Sequence, residues 1–275
     1  MKVLIISDGH GAVDKLDALA EVAKASDIVL FGGDFAAYGK PETGMPFLER
    51  LAAFHDRVFA VTGNCDDPSF RETVEEYDMS VEGSLSYFSG LMLAGSGGGS
   101  KFTGTTPNER SDEDLVGDLR LASLASGGAP WQDDPEGDDE YADEEARFDE
   151  IPGAPHAAAK VALAPAPKAV RAPVAGEEPW NNLVVIAHNP PKDTKLDAVA
   201  PGVHVGSPLI RSFIEEKKPL LVLSGHIHES AAIDALGPTT LVNPGALAEG
   251  KYAVAEITGG NGKPFAVASI ELKSL

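Results

Sequence analysis

The chain has 275 residues, 43% hydrophobic and 24% charged, a composition within reach of one α/β domain that carries an insertion. Its formal charge of −21 repels nucleic-acid backbone and anionic membrane, which argues against a nuclease acting on long DNA and against a membrane-surface protein. A single cysteine, Cys65, excludes an internal disulfide framework and fits a reducing, cytoplasmic compartment. No stretch approaches the roughly 20 apolar residues of a spanning helix.

Short apolar, β-branched runs alternate with helical patterns, as in stacked βα units around a central sheet. Lys2–Ile6 reads as the first strand, and Val13–Lys24 as an amphipathic helix with Val13, Leu16, Leu19, Ala20 and Ala23 on one face. Ile28–Phe31 is the second strand, followed by a helix over Met45–Phe54 and a third strand at Val58–Thr62. Leu91–Ala94 is another strand, leading into the glycine-rich turn Gly95 to Gly99. That turn lacks the following Gly-Lys-Ser/Thr of a phosphate-cradling loop and reads as a flexible connection. A helix starts near Ser111, with Asp112, Glu113 and Asp114 in its first turn, where the helix dipole favours acids.

The pattern then breaks. Residues 127–179 hold thirteen acids and four bases, then an Ala/Pro-rich stretch. With few large apolar side chains, such a segment cannot offset its ordering entropy and is expected to be a poorly ordered insertion. Order resumes with a strand at Leu183–Ala187, a helix over Pro208–Glu216 and a strand at Leu220–Ser224. Short strands follow at Ala231–Ile233, Thr240–Val242, Tyr252–Ile257 and Ala266–Leu272. The expectation is one domain over 1–275, a layered α/β sandwich richer in strands than a Rossmann fold.

Polar residues fall where these strands end. Asp8 and His10 follow the first strand, Asp34 the second and Asn64 the third; His188 ends Leu183–Ala187, and His226 and His228 follow Leu220–Ser224. Strand carboxyl ends form the ligand-binding rim of open α/β sheets, so these motifs converge on one rim. Carboxylate, imidazole and amide oxygen together suit Mn²⁺, Fe²⁺ or Zn²⁺. Asp34, alone in sequence between the two ligand groups, is the natural bridge between two ions.

Asp8-x-His10, Gly33-Asp34, Gly63-Asn64, His188 and Gly225-His226-x-His228 resemble, in order and spacing, the calcineurin-like metallophosphoesterases. Ala187-His188-Asn189-Pro190-Pro191, His204-Val205-Gly206-Ser207 and Asn243-Pro244-Gly245-Ala246 also resemble a small prokaryotic branch of that family. The resemblance implies an α/β/β/α sandwich and two divalent ions, Mn²⁺ first, with Fe²⁺, Zn²⁺ or Ni²⁺ as alternatives. It implies that Asp8, His10, Asp34 and His228 hold one ion, and Asp34, Asn64, His188 and His226 the other. A hydroxide bridging the ions would then attack a phosphate ester, a phosphodiester by preference, with Asn64 and Asp34 at the reacting centre. The partner implied is a small phosphate ester such as a nucleotide; the sequence leaves assembly into a homo-oligomer open.

One position departs from the family pattern. Many members carry a histidine after the Gly-Asn pair, and here that residue is Cys65. A neutral thiol is a poor substitute for an imidazolium, which favours good leaving groups or a second acid such as His204. The departure also motivates the alternative of a non-catalytic, metal-retaining interaction module.

Overall fold

The computed structural model describes residues 1–102, 104–126 and 180–275; the expected insertion, 127–179, lies outside the described residues. The first half supplies β1 (Lys2–Ile6), α1 (Val13–Ala18), α2 (Ala20–Lys24), β2 (Ile28–Phe31), α3 (Gly44–Phe54), β3 (Val58–Ala60) and α4 (Phe70–Glu76). Next come β4 (Ser86–Phe88), β5 (Leu91–Ser96), the short pair β6 (Gly99–Ser100) and β7 (Glu109–Arg110), and α5 (Asp112–Ser126). The remainder forms β8 (Leu183–Ala187), the small hairpin β9 (Ala198–Ala200) and β10 (Val203–His204), α6 (Pro208–Lys217) and β11 (Leu221–Leu223). The chain ends with β12 (Ala232–Leu236), β13 (Thr239–Asn243), β14 (Lys251–Gly260) and β15 (Lys263–Ser274).

Two main sheets result. One has the order β15-β14-β1-β2-β3, the other β12-β13-β11-β8-β5-β4. The period-2 alternation of strand side chains sets how they stack. Val3 and Ile5 face the space between the sheets, in one cluster with Val184, Ile186 and Leu223. Leu4 and Ile6 face the other way, clustering with Leu16, Phe47 and Leu48 of α1 and α3. Val185 and Val222 on the second sheet pack against Leu115 and Leu119 of α5 and Ile210 and Ile214 of α6. The layers are therefore α/β/β/α, as the sequence predicts, with Val3 to Ile6 of β1 buried on both faces and apolar for that reason.

The central strands run parallel and stop level. Ile6 is opposite Phe31, Phe31 opposite Ala60, and Ile186 opposite Leu223. The residues that follow each strand are thus delivered to one common edge.

Several elements differ from expectation. The predicted helix Val13–Lys24 is two short helices, because Leu19, at φ −91° and ψ 4°, interrupts the hydrogen-bond ladder. β5 runs on through Ser96 and β6 begins at Gly99, so only Gly97 and Gly98 of the glycine run turn. α4 and β4 were not anticipated: α4 has one buried residue, Val74, too few for a periodic signal, and β4 is a three-residue edge strand. The predicted start near Ser111 is a true cap, its Oγ accepting from the Asp114 backbone at 3.1 Å.

Ile5 is fully buried between the sheets, whereas Leu121 on α5 is exposed. Ile5→Ala should lower unfolding free energy by about 3 kcal/mol and Leu121→Ala by less than about 0.5 kcal/mol, both read from urea denaturation.

Candidate metal centre

The shared edge is a seam where loops from both sheets interlock. His188 of the second sheet donates from Nδ1 to the Gly32 carbonyl of the first at 2.7 Å, and the His226 backbone donates to Asp8 Oδ1 at 3.0 Å. Reaching these positions requires unusual backbone. Among the described residues, Asp8, His10, Asp34 and His226 all have φ between 45° and 68°, a left-handed conformation that is costly outside glycine and collects at functional sites. Two glycines allow the close approach. A Cβ on Gly63 would overlap Asp34 Oδ1, and one on Gly225 would overlap Ser7 Oγ.

The side chains meet with their acceptor atoms facing one another. His10 donates from Nδ1 to the Ala36 carbonyl at 3.1 Å, which leaves Nε2 with the lone pair of the neutral ring. That atom faces His228 Nε2 at 3.2 Å and Asp34 Oδ2 at 3.7 Å. His188, fixed the same way through Nδ1, turns Nε2 toward Asn64 Oδ1 at 2.9 Å and Asp34 Oδ1 at 3.7 Å. Asp34 therefore presents one oxygen to each histidine. His228 Nε2 lies 3.2 Å from Asp8 Oδ1, while Asp8 Oδ2 is buried with no hydrogen-bond partner among the described residues. The His188 and His226 rings have centroids 5.3 Å apart.

Ligand atoms of Asp8, His10 and His228 lie within 4.8 Å of one another, as do those of Asp8, Asp34 and His188, and those of His10, Asp34 and Cys65. Facing lone pairs and an orphaned carboxylate oxygen are satisfied by cations, not by more donors from the protein. The residues present therefore fit a pair of divalent ions.

Electrostatics point the same way. Burial opposes ionisation of Asp8, but its hydrogen bond with His228 and the nearby His188 outweigh that and hold the carboxyl well below the usual range. Burial pushes His226 down to about 4, so its ring is neutral at pH 7 and offers a lone pair. The hydrogen bond to Asp8 moves His228 the other way, against its own burial. Burial and the Asp34 carboxylate both push the Cys65 thiol up, so it stays protonated.

His204 stands apart from this cluster. It is in β10, and its Nδ1 is bonded to Asp197 at 2.7 Å. Three supporting residues have no role in the sequence reading. Asp66 accepts backbone N–H groups from Phe35, Ala36 and Gly63 at 3.2, 2.8 and 2.7 Å, clamping the loop of Asp34 to that of Asn64. Burial, then the charge of Asp34, push its carboxyl up to about 7 against those donors. Asn108 donates to the Gly63 carbonyl at 3.1 Å, and Asn243 to that of Ile227 at 2.9 Å, between the two loop histidines. Of these, only Asn243 was singled out beforehand, in the Asn243-Pro244-Gly245-Ala246 stretch that resembles the prokaryotic branch. The glycine-rich connection does lie at this rim: a Cβ on Gly99 would sit 3.0 Å from Asn64 Cβ and 3.4 Å from His226 Cε1.

Asp66→Ala removes the acceptors of three buried hydrogen bonds and should cost about 3 kcal/mol in chemical denaturation, while Asp66→Asn, retaining one oxygen, costs less. A cost below about 0.5 kcal/mol would refute the clamp.

Comparison with known proteins places this geometry in a family. Residues 1–230 match the family model for calcineurin-like phosphoesterases. An uncharacterized protein of Methanocaldococcus jannaschii is 25% identical over 250 residues, spanning 89% of this chain and 88% of that one. A Thermus thermophilus protein of known structure superposes with a TM-score of 0.61 at 14% identity, covering 99% of this chain and 98% of its own. A putative 5'-nucleotidase from Staphylococcus aureus gives 0.55 at 12% identity, over 99% of this chain and 54% of its own. The structural likenesses establish the fold, and the family match extends over the loops that carry all the clustered side chains. The chain belongs to the calcineurin-like phosphoesterases, metal-dependent hydrolases of phosphate esters.

Proposed function

We propose that the chain hydrolyses a small phosphate ester at a dinuclear centre in which Asp8, His10, Asp34 and His228 hold one ion and Asp34, Asn64, His188 and His226 the other. The observation that carries this reading is Asp34, whose two carboxylate oxygens face His10 and His188 separately at 3.7 Å each. Two divalent cations there, Mn²⁺ in the first instance, would acidify water and neutralise charge on the phosphoryl oxygens.

The chain's own residues prepare that chemistry. The Gly32 and Ala36 carbonyls fix the His188 and His10 tautomers so that Nε2 is the ligand atom in each. Asp66 and Asn108 hold the Asp34 and Asn64 loops, so the reacting geometry does not wait on loop ordering. The net charge of −21 disfavours highly anionic substrates, which supports a phosphodiester over a monoester. The nucleotide substrate class is supported by the fold shared with the S. aureus protein and, at a TM-score of 0.53 and 11% identity, with a 5'-nucleotidase from Candida albicans; this chain spans about half of each. Among the described residues no helix is long and apolar enough to cross a membrane, and the lone cysteine is in keeping with a cytoplasmic enzyme.

With Mn²⁺, the protein should turn over bis(p-nitrophenyl) phosphate faster than p-nitrophenyl phosphate. Asp34→Asn should lower that rate by about 100-fold or more, and chelator should abolish it. Full activity in Asp34→Asn would refute the assignment. Two bound ions with no turnover of any ester would instead favour the metal-retaining interaction module.

A further inference from the structure

We propose that His204, held by the buried carboxylate of Asp197, is the acid that protonates the leaving oxygen, the role for which Cys65 offers no imidazole. This rests on the hydrolase reading above and adds to it a residue pair outside the metal cluster.

The pair is built around Asp197, whose side chain is 0% exposed. It accepts backbone N–H groups from Asp193, Thr194 and Gly206 at 3.0, 2.9 and 3.0 Å, so the 193–206 loop is wrapped about it. Those donors already satisfy the carboxylate, and the imidazole is not needed for that purpose. His204 is added at 2.7 Å through Nδ1. Its side chain is 28% exposed, and Nε2 has no hydrogen-bond partner among the described residues. A ring oriented by a buried carboxylate, with its second nitrogen open to solvent, is the arrangement that proton transfer requires. Burial opposes the charge on Asp197, yet the His204 hydrogen bond and the backbone donors hold its carboxyl below the usual range.

Two hydrogen bonds tie the loop that carries this ring to the loops of the metal centre. His204 pairs with Ala198 across the β9–β10 hairpin, and the Ala198 carbonyl accepts from Ser230 Oγ at 2.7 Å, two residues past His228. On the other side, the Ser207 backbone donates at 2.8 Å to the carbonyl of Pro190, two residues past His188. The hairpin is thus tied to both loops that follow the second sheet's strands. A phosphate ester seated on that rim would present its leaving oxygen to Nε2.

The step balances without another reagent. The water oxygen bonds to phosphorus as the bond from phosphorus to the leaving oxygen breaks, and that electron pair stays on the leaving oxygen. The protonated ring gives its Nε2 proton to this oxygen, an alcohol departs, and the neutral ring regains the proton that the water lost. Asp197 acts as a positioning residue, keeping Nδ1 a donor throughout.

The test uses Mn²⁺-loaded wild type, His204→Gln and Asp197→Asn with two diesters. Bis(p-nitrophenyl) phosphate has a leaving group that departs without a proton, whereas diphenyl phosphate does not. His204→Gln should lower kcat on diphenyl phosphate by about 100-fold while leaving bis(p-nitrophenyl) phosphate within about threefold, with KM unchanged on both. Asp197→Asn should show the same selective loss to a smaller degree. Retained turnover of the nitrophenyl ester also shows that each variant is folded. Equal losses on both esters, or no loss on either, would overturn the role of His204 alone. Absence of turnover by the wild type would overturn the hydrolase reading itself.

Discussion

At the carboxyl edge of two facing sheets, Asp8, Asp34, Asn64, His10 and His188 turn lone pairs toward one another within hydrogen-bond range or just beyond it. Nothing in the side chains' own chemistry makes that arrangement favourable: facing acceptors repel, and burial raises the cost because the local dielectric is low. The remaining structure can be understood as what holds these groups in place against that repulsion. Carbonyl oxygens of Gly32 and Ala36 lock two imidazoles in one tautomer, and Asp66 fastens two loops through three backbone bonds.

The strain is offset by the layers beneath. Four of the clustered residues have left-handed backbone, each costing on the order of 1 kcal/mol or more. Their loops spring from β1, β2 and β11, strands buried on both faces and packed into the inter-sheet core and the flanking helices. Because the ladders are parallel and end level, no strand has to bend to bring its motif to the seam. The cluster thus inherits its rigidity from continuous apolar strands, and four of the nine non-glycine left-handed residues among the described ones, Asp8, His10, Asp34 and His226, fall in it.

That these side chains cluster was legible because each stands immediately past a strand, and strand runs such as Lys2–Ile6 and Leu183–Ala187 are unmistakable in the sequence. The layered architecture was legible for the same reason, since strands apolar on both faces need a layer on each side. Short elements escaped: α4 buries only Val74, and β4 lies at a sheet edge with three residues. The supporting residues escaped for a different reason. Asp66, Asn108 and Asp197 act by accepting from or donating to backbone groups brought together only by the fold, which leaves no periodic trace. The exchange of an imidazole for Cys65 was visible in the sequence. The carboxylate that holds the His204 imidazole became visible only in three dimensions.

The central claim is that the facing acceptors are the two halves of one dinuclear site shared through Asp34. Anomalous diffraction from crystals grown with Mn²⁺ tests it most directly. The account predicts two peaks about 3.5–4 Å apart with the Asp34 carboxylate between them. A single peak, or peaks confined to surface carboxylates, would contradict it.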